Sequence, residues 1–291
     1  MKQLYRLLFL TTILACNQRS SDRFVDINGQ RQHILDIGDG SPVVIFITGA
    51  GTDLKNFGQV QSEIAAHTRT LSYDRAGIGL SEELNTERTV DQFAQELHEI
   101  LVQENIEPPY LLVGHELGGF VVRWYAHTYP DHVAGMVLID PAYEGFMDSL
   151  RNTRSAEQQR KMKDMVDLGI INAPKASRKE LEMLQKDEEL MRNTRLPVNI
   201  PITMLTSGRY SDQEQKKGAT QEDIAQWVEF HERLKLQAPQ MKHIVTDKSG
   251  SFIHQDEPEL VIAEIKSMLA EIKQGNEFQT GDPQPTKDSI Q

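Results

Sequence analysis

Hydrophobic and polar positions along this chain switch repeatedly between two periods. Residues 24–27 and 30–37 are short extended-type runs on either side of Asn28-Gly29. That pair is the strongest short-range hairpin signal, because both central residues of a tight hairpin turn need positive φ. Residues 42–48 form an unbroken apolar run ending at Gly49-Ala50-Gly51, which suits a strand buried on both faces of a parallel sheet. The pattern then predicts a helix over 53–67, a strand over 69–73 and a helix over 89–104. In the last of these Val90, Phe93, Ala94, Leu97, Ile100 and Leu101 share one face. Strands over 110–113 and 136–139 flank a helix over 117–129. From 142 to about 196 the character changes to charge, Gln and Met, with amphipathic helices over 155–168 and 177–193 and no strand-like run. Met162, Met165, Met183 and Met191 in these helices suit an apolar cover over a pocket. Alternation resumes with a strand over 202–206, a helix over 220–237, a strand over 242–246 and a helix over 258–273. Repeated strand–helix units predict an α/β fold: a mostly parallel central sheet, helices on both faces and an inserted helical lid. Residues 274–291 carry no periodicity and are expected to be a disordered tail.

Composition adds little to the fold and more to the location. The 291 residues are 38% hydrophobic and 25% charged, ordinary for a globular chain, with a formal net charge of −12. No basic run stands out, so no nucleic-acid partner is expected. The only cysteine is Cys16, which excludes an intrachain disulfide and a cysteine zinc site. Lys2 and Arg6 precede a nine-residue apolar run, Leu7 to Ala15. That is the shape of a secretory signal and too short to cross a bilayer. Ile13-Leu14-Ala15-Cys16 resembles a bacterial lipobox, which implies a signal peptide over 1–15, lipid on Cys16, a tether over 16–22 and a domain over 23–273. Membrane attachment through that lipid, or plain secretion, places the chain in the bacterial cell envelope.

The chemistry-bearing motif is Gly114-His115-Glu116-Leu117-Gly118-Gly119, between a predicted strand and a predicted helix. It resembles the nucleophile elbow of the α/β-hydrolase fold superfamily, of the esterase-like kind, in which glycines let strand and helix approach at a strained turn. Asp74-Arg75-Ala76-Gly77, with Gly79 and Ser81, matches the loop after the fourth strand. Ser249-Gly250-Ser251-Phe252-Ile253-His254 with Asp256 and Pro258 resembles the histidine loop. The resemblance implies an α/β-hydrolase fold and an oxyanion hole made by the backbone N–H groups of Ala50 and Leu117. It places Glu116 where the family has its nucleophilic Ser and Ser251 where it has its catalytic His. Asp140 and Asp212 both stand where the family places its acid. No cofactor and no metal are implied.

A Ser hydroxyl attacks only when a neighbouring base takes its proton, and losing either group removes several orders of magnitude of rate. With both positions changed, serine-type acyl transfer is expected to be absent. At the N-terminus of the elbow helix a carboxylate is favoured by N–H groups and the helix dipole. Glu116 is therefore expected to be ionised and able to fold into the oxyanion donors as a plug. His115 is expected to be a packed structural residue. Two functions stay open: a non-catalytic member binding a small molecule or partner under the lid, or an active hydrolase using Glu116 as nucleophile or base, with His254 as a substitute base. Oligomeric state is not specified by the sequence.

Overall fold

In a computed structural model the described residues are 20–209 and 219–280. The expected signal segment, Cys16 and Asp212 therefore lie outside the described residues. The hairpin forms as predicted: β1 (Ser20–Ile27) and β2 (Gln30–Ile37) are antiparallel, and Asn28 and Gly29 turn the chain at φ 54° and 79°. Six more strands complete one sheet, β3 (Val43–Ile47), β4 (Thr70–Tyr73), β5 (Tyr110–His115), β6 (Val133–Ile139), β7 (Ile202–Ser207) and β8 (Lys242–Thr246). Their spatial order is β1-β2-β4-β3-β5-β6-β7-β8, parallel from β4 onward.

Alternate residues of each central strand feed two apolar cores. Val43, Ile45 and Ile47 face a core shared with α2 (Val90–Gln103), α3 (Leu117–Thr128) and α7 (Gln221–Lys235). Val44 and Phe46 face the other, shared with α1 (Gly58–Ala65), the short α8 (Ile253–Asp256) and α9 (Pro258–Thr280). All five residues of β3 are buried, which is why its sequence is apolar without alternation.

Several sequence boundaries move, and β1 already takes in Ser20–Asp22 of the expected tether. The segment 53–67 divides into a 3-10 turn over Leu54–Phe57, capped by the Asp53 side chain on the Lys55 N–H, and α1. β6 begins at Val133 rather than 136, because Val133 pairs with Tyr110 and Gly135 with Leu111. Gly135 breaks the apolar pattern and packs closely under α9: a Cβ there would lie 2.9 Å from Met268 Sδ. α9 runs to Thr280, so residues 274–280 of the expected tail are helical, and 281–291 lie outside the described residues. Once Val261, Ile265 and Leu269 hold the helix on the sheet, each further polar residue adds one backbone hydrogen bond at little entropic cost.

Between β6 and β7 lies the helical insertion: α4 (Phe146–Asn152), α5 (Ala156–Asn172) and α6 (Lys175–Met191). Ser155 and Gln158 form the capping box that starts α5. α5 has no buried residue, and Met165, Val166, Leu168 and Ile171 are exposed on it. Met191 is fully buried. The methionines thus divide, and Met165 does not cover the interior. No helix among the described residues is long and apolar enough to cross a membrane.

Candidate active site

Register brings four loops to one end of the sheet. Ile47 pairs with Gly114, His115 with Ile139, and Ile139 with Leu205. The chain segments after β3, β5, β6 and β7 consequently start side by side. At the end of β5 the chain turns sharply at Glu116, with φ 49° and ψ −115°. A side-chain-bearing residue rarely adopts such a conformation unless its surroundings enforce it. The glycines are the enforcement: a Cβ at Gly114 would lie 2.4 Å from Gly118 O, and one at Gly118 would lie 2.2 Å from Ile47 O. Strand and helix cross at a separation only glycine permits, and Glu116 is left at the apex.

The Glu116 side chain lies back into the loop after β3. Its Oε2 accepts a hydrogen bond from the Ala50 N–H at 2.7 Å. A Cβ on Gly49 would sit 3.0 Å from the same oxygen, so the carboxylate is packed directly on the loop backbone. Burial pushes the Glu116 carboxyl above the usual range. The Ala50 and Leu117 N–H groups and the Arg75 charge pull the other way, and the nearby Glu180 charge adds to the rise. The expectation of easy ionisation therefore needs correcting: loss of water outweighs the helix N-terminus. Any oxyanion forming here would need the Ala50 N–H that Glu116 already holds.

Two residues given no site role by the sequence complete this loop. Arg75, on the loop after β4, is 1% exposed. It donates from Nη1 to Thr48 O at 2.7 Å and from Nη2 to Gly49 O at 2.7 Å. Its Nε reaches Glu180 Oε1 at 2.7 Å and its Nη2 reaches Oε2 at 3.0 Å. Glu180, on lid helix α6, is equally buried and also accepts the Gly51 N–H at 2.8 Å. Arg75 was visible as part of a matched loop. Glu180 was not, because it lies in a charged helical stretch that resembles a solvated face.

The base position holds no imidazole. Ser251 is partly exposed, and its carbonyl accepts a hydrogen bond from His115 Nε2 at 3.1 Å. His115 is buried, as expected for a packed residue, and burial lowers its pKa to about 4. His254 stacks near Phe57 and His115, each with ring centroids 4.5 Å away, and donates from Nε2 to Asn56 Oδ1. Burial pulls it down to about 2. Among the described residues no hydrogen bond joins Glu116 to a histidine. Asp140 lies just past β6 at φ 41° and accepts from the Ser207 N–H at 3.0 Å and from Trp227 Nε1 at 2.8 Å. The structure therefore brings Glu116, Ala50, Leu117, Asp140 and Ser251 to one end of the sheet and sets His254 behind the elbow. Among the described residues no group of three or more His, Cys, Asp or Glu side chains is placed to hold a metal ion.

With this geometry in place, comparison with known proteins gives a consistent picture. A family model described as alpha/beta hydrolase fold matches residues 42–260. An uncharacterised protein of Bacillus subtilis, YqjL, is 29% identical over 224 residues, covering 77% of this chain and 82% of its own. A Vigna radiata epoxide hydrolase mutant superposes with a TM-score of 0.66 at 14% identity, over 87% of this chain and 99% of its own. A thermophilic esterase from Thermogutta terrifontis, solved with malate, superposes with a TM-score of 0.61 at 17% identity, over 88% and 98%.

Proposed function

Given that the chain belongs to the α/β-hydrolase fold family, we propose that it is a non-catalytic member on an ester-hydrolase scaffold, binding a small molecule or a partner at the former catalytic centre. The observation that carries this reading is the Ala50 N–H donated to Glu116 Oε2 at 2.7 Å. A side chain that fills the oxyanion donor in the resting state competes with the charge that acyl transfer must develop there. Absence of a hydroxyl at 116 and of an imidazole at 251 agrees with it. In the rival reading Glu116 acts as base itself, or as nucleophile forming an ester whose hydrolysis needs a second base to activate water. Burial makes His254 a weak base and its Nε2 is engaged with Asn56, which weighs against it as that second base.

A fluorophosphonate probe, which reacts with activated serines, should leave the wild-type protein unlabelled. Labelling that maps to any serine would end the non-catalytic reading.

We also propose that the protein is held on the bacterial cell envelope by lipid on Cys16. Ile13-Leu14-Ala15-Cys16 after a short apolar run supports this. Cys16→Ala should move the protein out of the membrane fraction or block its maturation. Unchanged membrane distribution with normal processing would exclude lipid attachment at this residue.

A further inference from the structure

Two backbone N–H groups of the loop after β3 are each occupied by a carboxylate of the chain itself: Ala50 by Glu116 and Gly51 by Glu180. The second carboxylate differs from the first in origin. It comes from the lid, and it is the buried counter-ion of Arg75, meeting the guanidinium side-on through both oxygens. α6 lies directly on this loop, since a Cβ on Gly51 would sit 2.9 Å from Ser177 Cβ. A ligand reaching Glu116 from the lid side must therefore displace the first turns of α6, and Glu180 with them.

That displacement sets a chemical condition on the ligand. Arg75 would remain fixed by Thr48 O and Gly49 O, a cation in a site already closed to water on the scaffold side. Removing one partner of a buried ion pair is strongly unfavourable unless another anion replaces it. A planar group with two equivalent oxygens fits the Nε/Nη2 fork and the Gly51 N–H together. A neutral ester or amide carbonyl satisfies the N–H and leaves the guanidinium uncompensated. The lid is suited to such an exchange. α5 has no buried residue, and α6 reaches the scaffold through a further carboxylate on a backbone N–H group, Asp187 on Val90, while Glu188 accepts the Gly145 N–H within the lid.

We propose that Arg75 and the Gly51 N–H form a carboxylate-binding subsite that Glu180 fills while the lid is closed, and that the ligand of this centre carries a carboxylate that takes the place of Glu180. This rests on the reading that the centre binds a ligand.

The test uses the full chain in two arms. In Glu180→Ala the guanidinium loses its partner, and acetate should raise the melting temperature by several degrees in a saturable way, whereas acetamide and chloride at equal ionic strength should not. If this variant folds only with the subsite filled, the same arm reads recovery of folded protein in acetate against acetamide. In the second arm, wild type meets propionate, hexanoate and benzoate, each beside its amide, and hydrogen exchange is followed along α6. Exchange there should rise at least about threefold with a carboxylate and stay level with the matching amide. No selective rescue of Glu180→Ala by acetate would overturn the subsite. Rescue with no change in the wild-type lid would make Arg75–Glu180 a fixed structural pair and overturn the exchange. Ester hydrolysis by wild type would remove the non-catalytic reading and leave both arms standing.

Discussion

His33 sits between two carboxylates, its Nδ1 2.7 Å from Asp74 Oδ2 and its Nε2 2.7 Å from Asp22 Oδ1. Carboxylates only accept, so both ring nitrogens must carry protons for both bonds to form. Burial alone would lower the His33 pKa, but the bonds to Asp74 and Asp22 and their charges outweigh it and raise it above 6.5. A raised folded-state value means that the stabilisation is fully present below about 6.5 and is lost as pH rises through the folded-state pKa. The melting temperature should therefore fall over that window, and His33→Gln should flatten the fall. An equal pH dependence in His33→Gln would show that another group carries it. Glu116 shows how much of a residue's behaviour a sequence conveys. Its place at the apex was legible, because Gly114, Gly118 and Gly119 are needed wherever strand and helix approach that closely. The upward displacement of its pKa was not, because depth of burial is a property of the packed loops and works against the helix N-terminus.

At the scale of elements, α6 docks in an unusual way. Its Asp187 is fully buried, with Oδ1 accepting the Val90 N–H at the start of α2 at 2.8 Å and Oδ2 buried without a hydrogen-bond partner. Burial, with the charges of Asp91 and Glu180, pushes this carboxyl up to about 7. For an acid raised in this way the folded chain holds a proton that the unfolded chain releases, so stability falls as pH rises from about 4 to about 7. The full penalty then applies above that range. Each unit of displacement is worth about 1.4 kcal/mol. Asp187→Asn, which can still accept from Val90, should stabilise the protein by on the order of 1–4 kcal/mol near pH 8 and much less near pH 4. Urea unfolding at the two pH values checks this, and equal destabilisation at both would contradict it. The hairpin and β3 were readable because period and turn chemistry are local. The docking of α6 was not: Glu180, Asp187 and Glu188 lie in a run of charges whose partners, Arg75 and three backbone N–H groups, are supplied by loops distant in sequence.

Across the whole molecule, the parallel sheet brings together the loops expected of the α/β-hydrolase fold. The loops after β3, β5 and β6 still converge, the elbow is still strained, and Asp140 is still held by Ser207 N–H and the Trp227 indole. On the proposed reading activity is separated from fold, which is possible because chemistry resides in a few side chains on a shared frame. Two cavities, of about 310 and 320 Å³, open elsewhere, one beside Val198 and Lys242 and one beside Asn28 and His98, and Glu116 lines neither. The most direct measurement restores what is missing. Glu116→Ser supplies a hydroxyl and frees the Ala50 N–H, and Ser251→His supplies a base. Nucleophile and base act as a unit, so each single change should do little. The rate of hydrolysis of a short-chain aryl ester by the Glu116→Ser/Ser251→His protein should exceed that of either single variant by at least about tenfold, near 1.4 kcal/mol of transition-state stabilisation, with wild type inactive. Turnover by wild type that Glu116→Ser abolishes would contradict the account and make Glu116 a reagent.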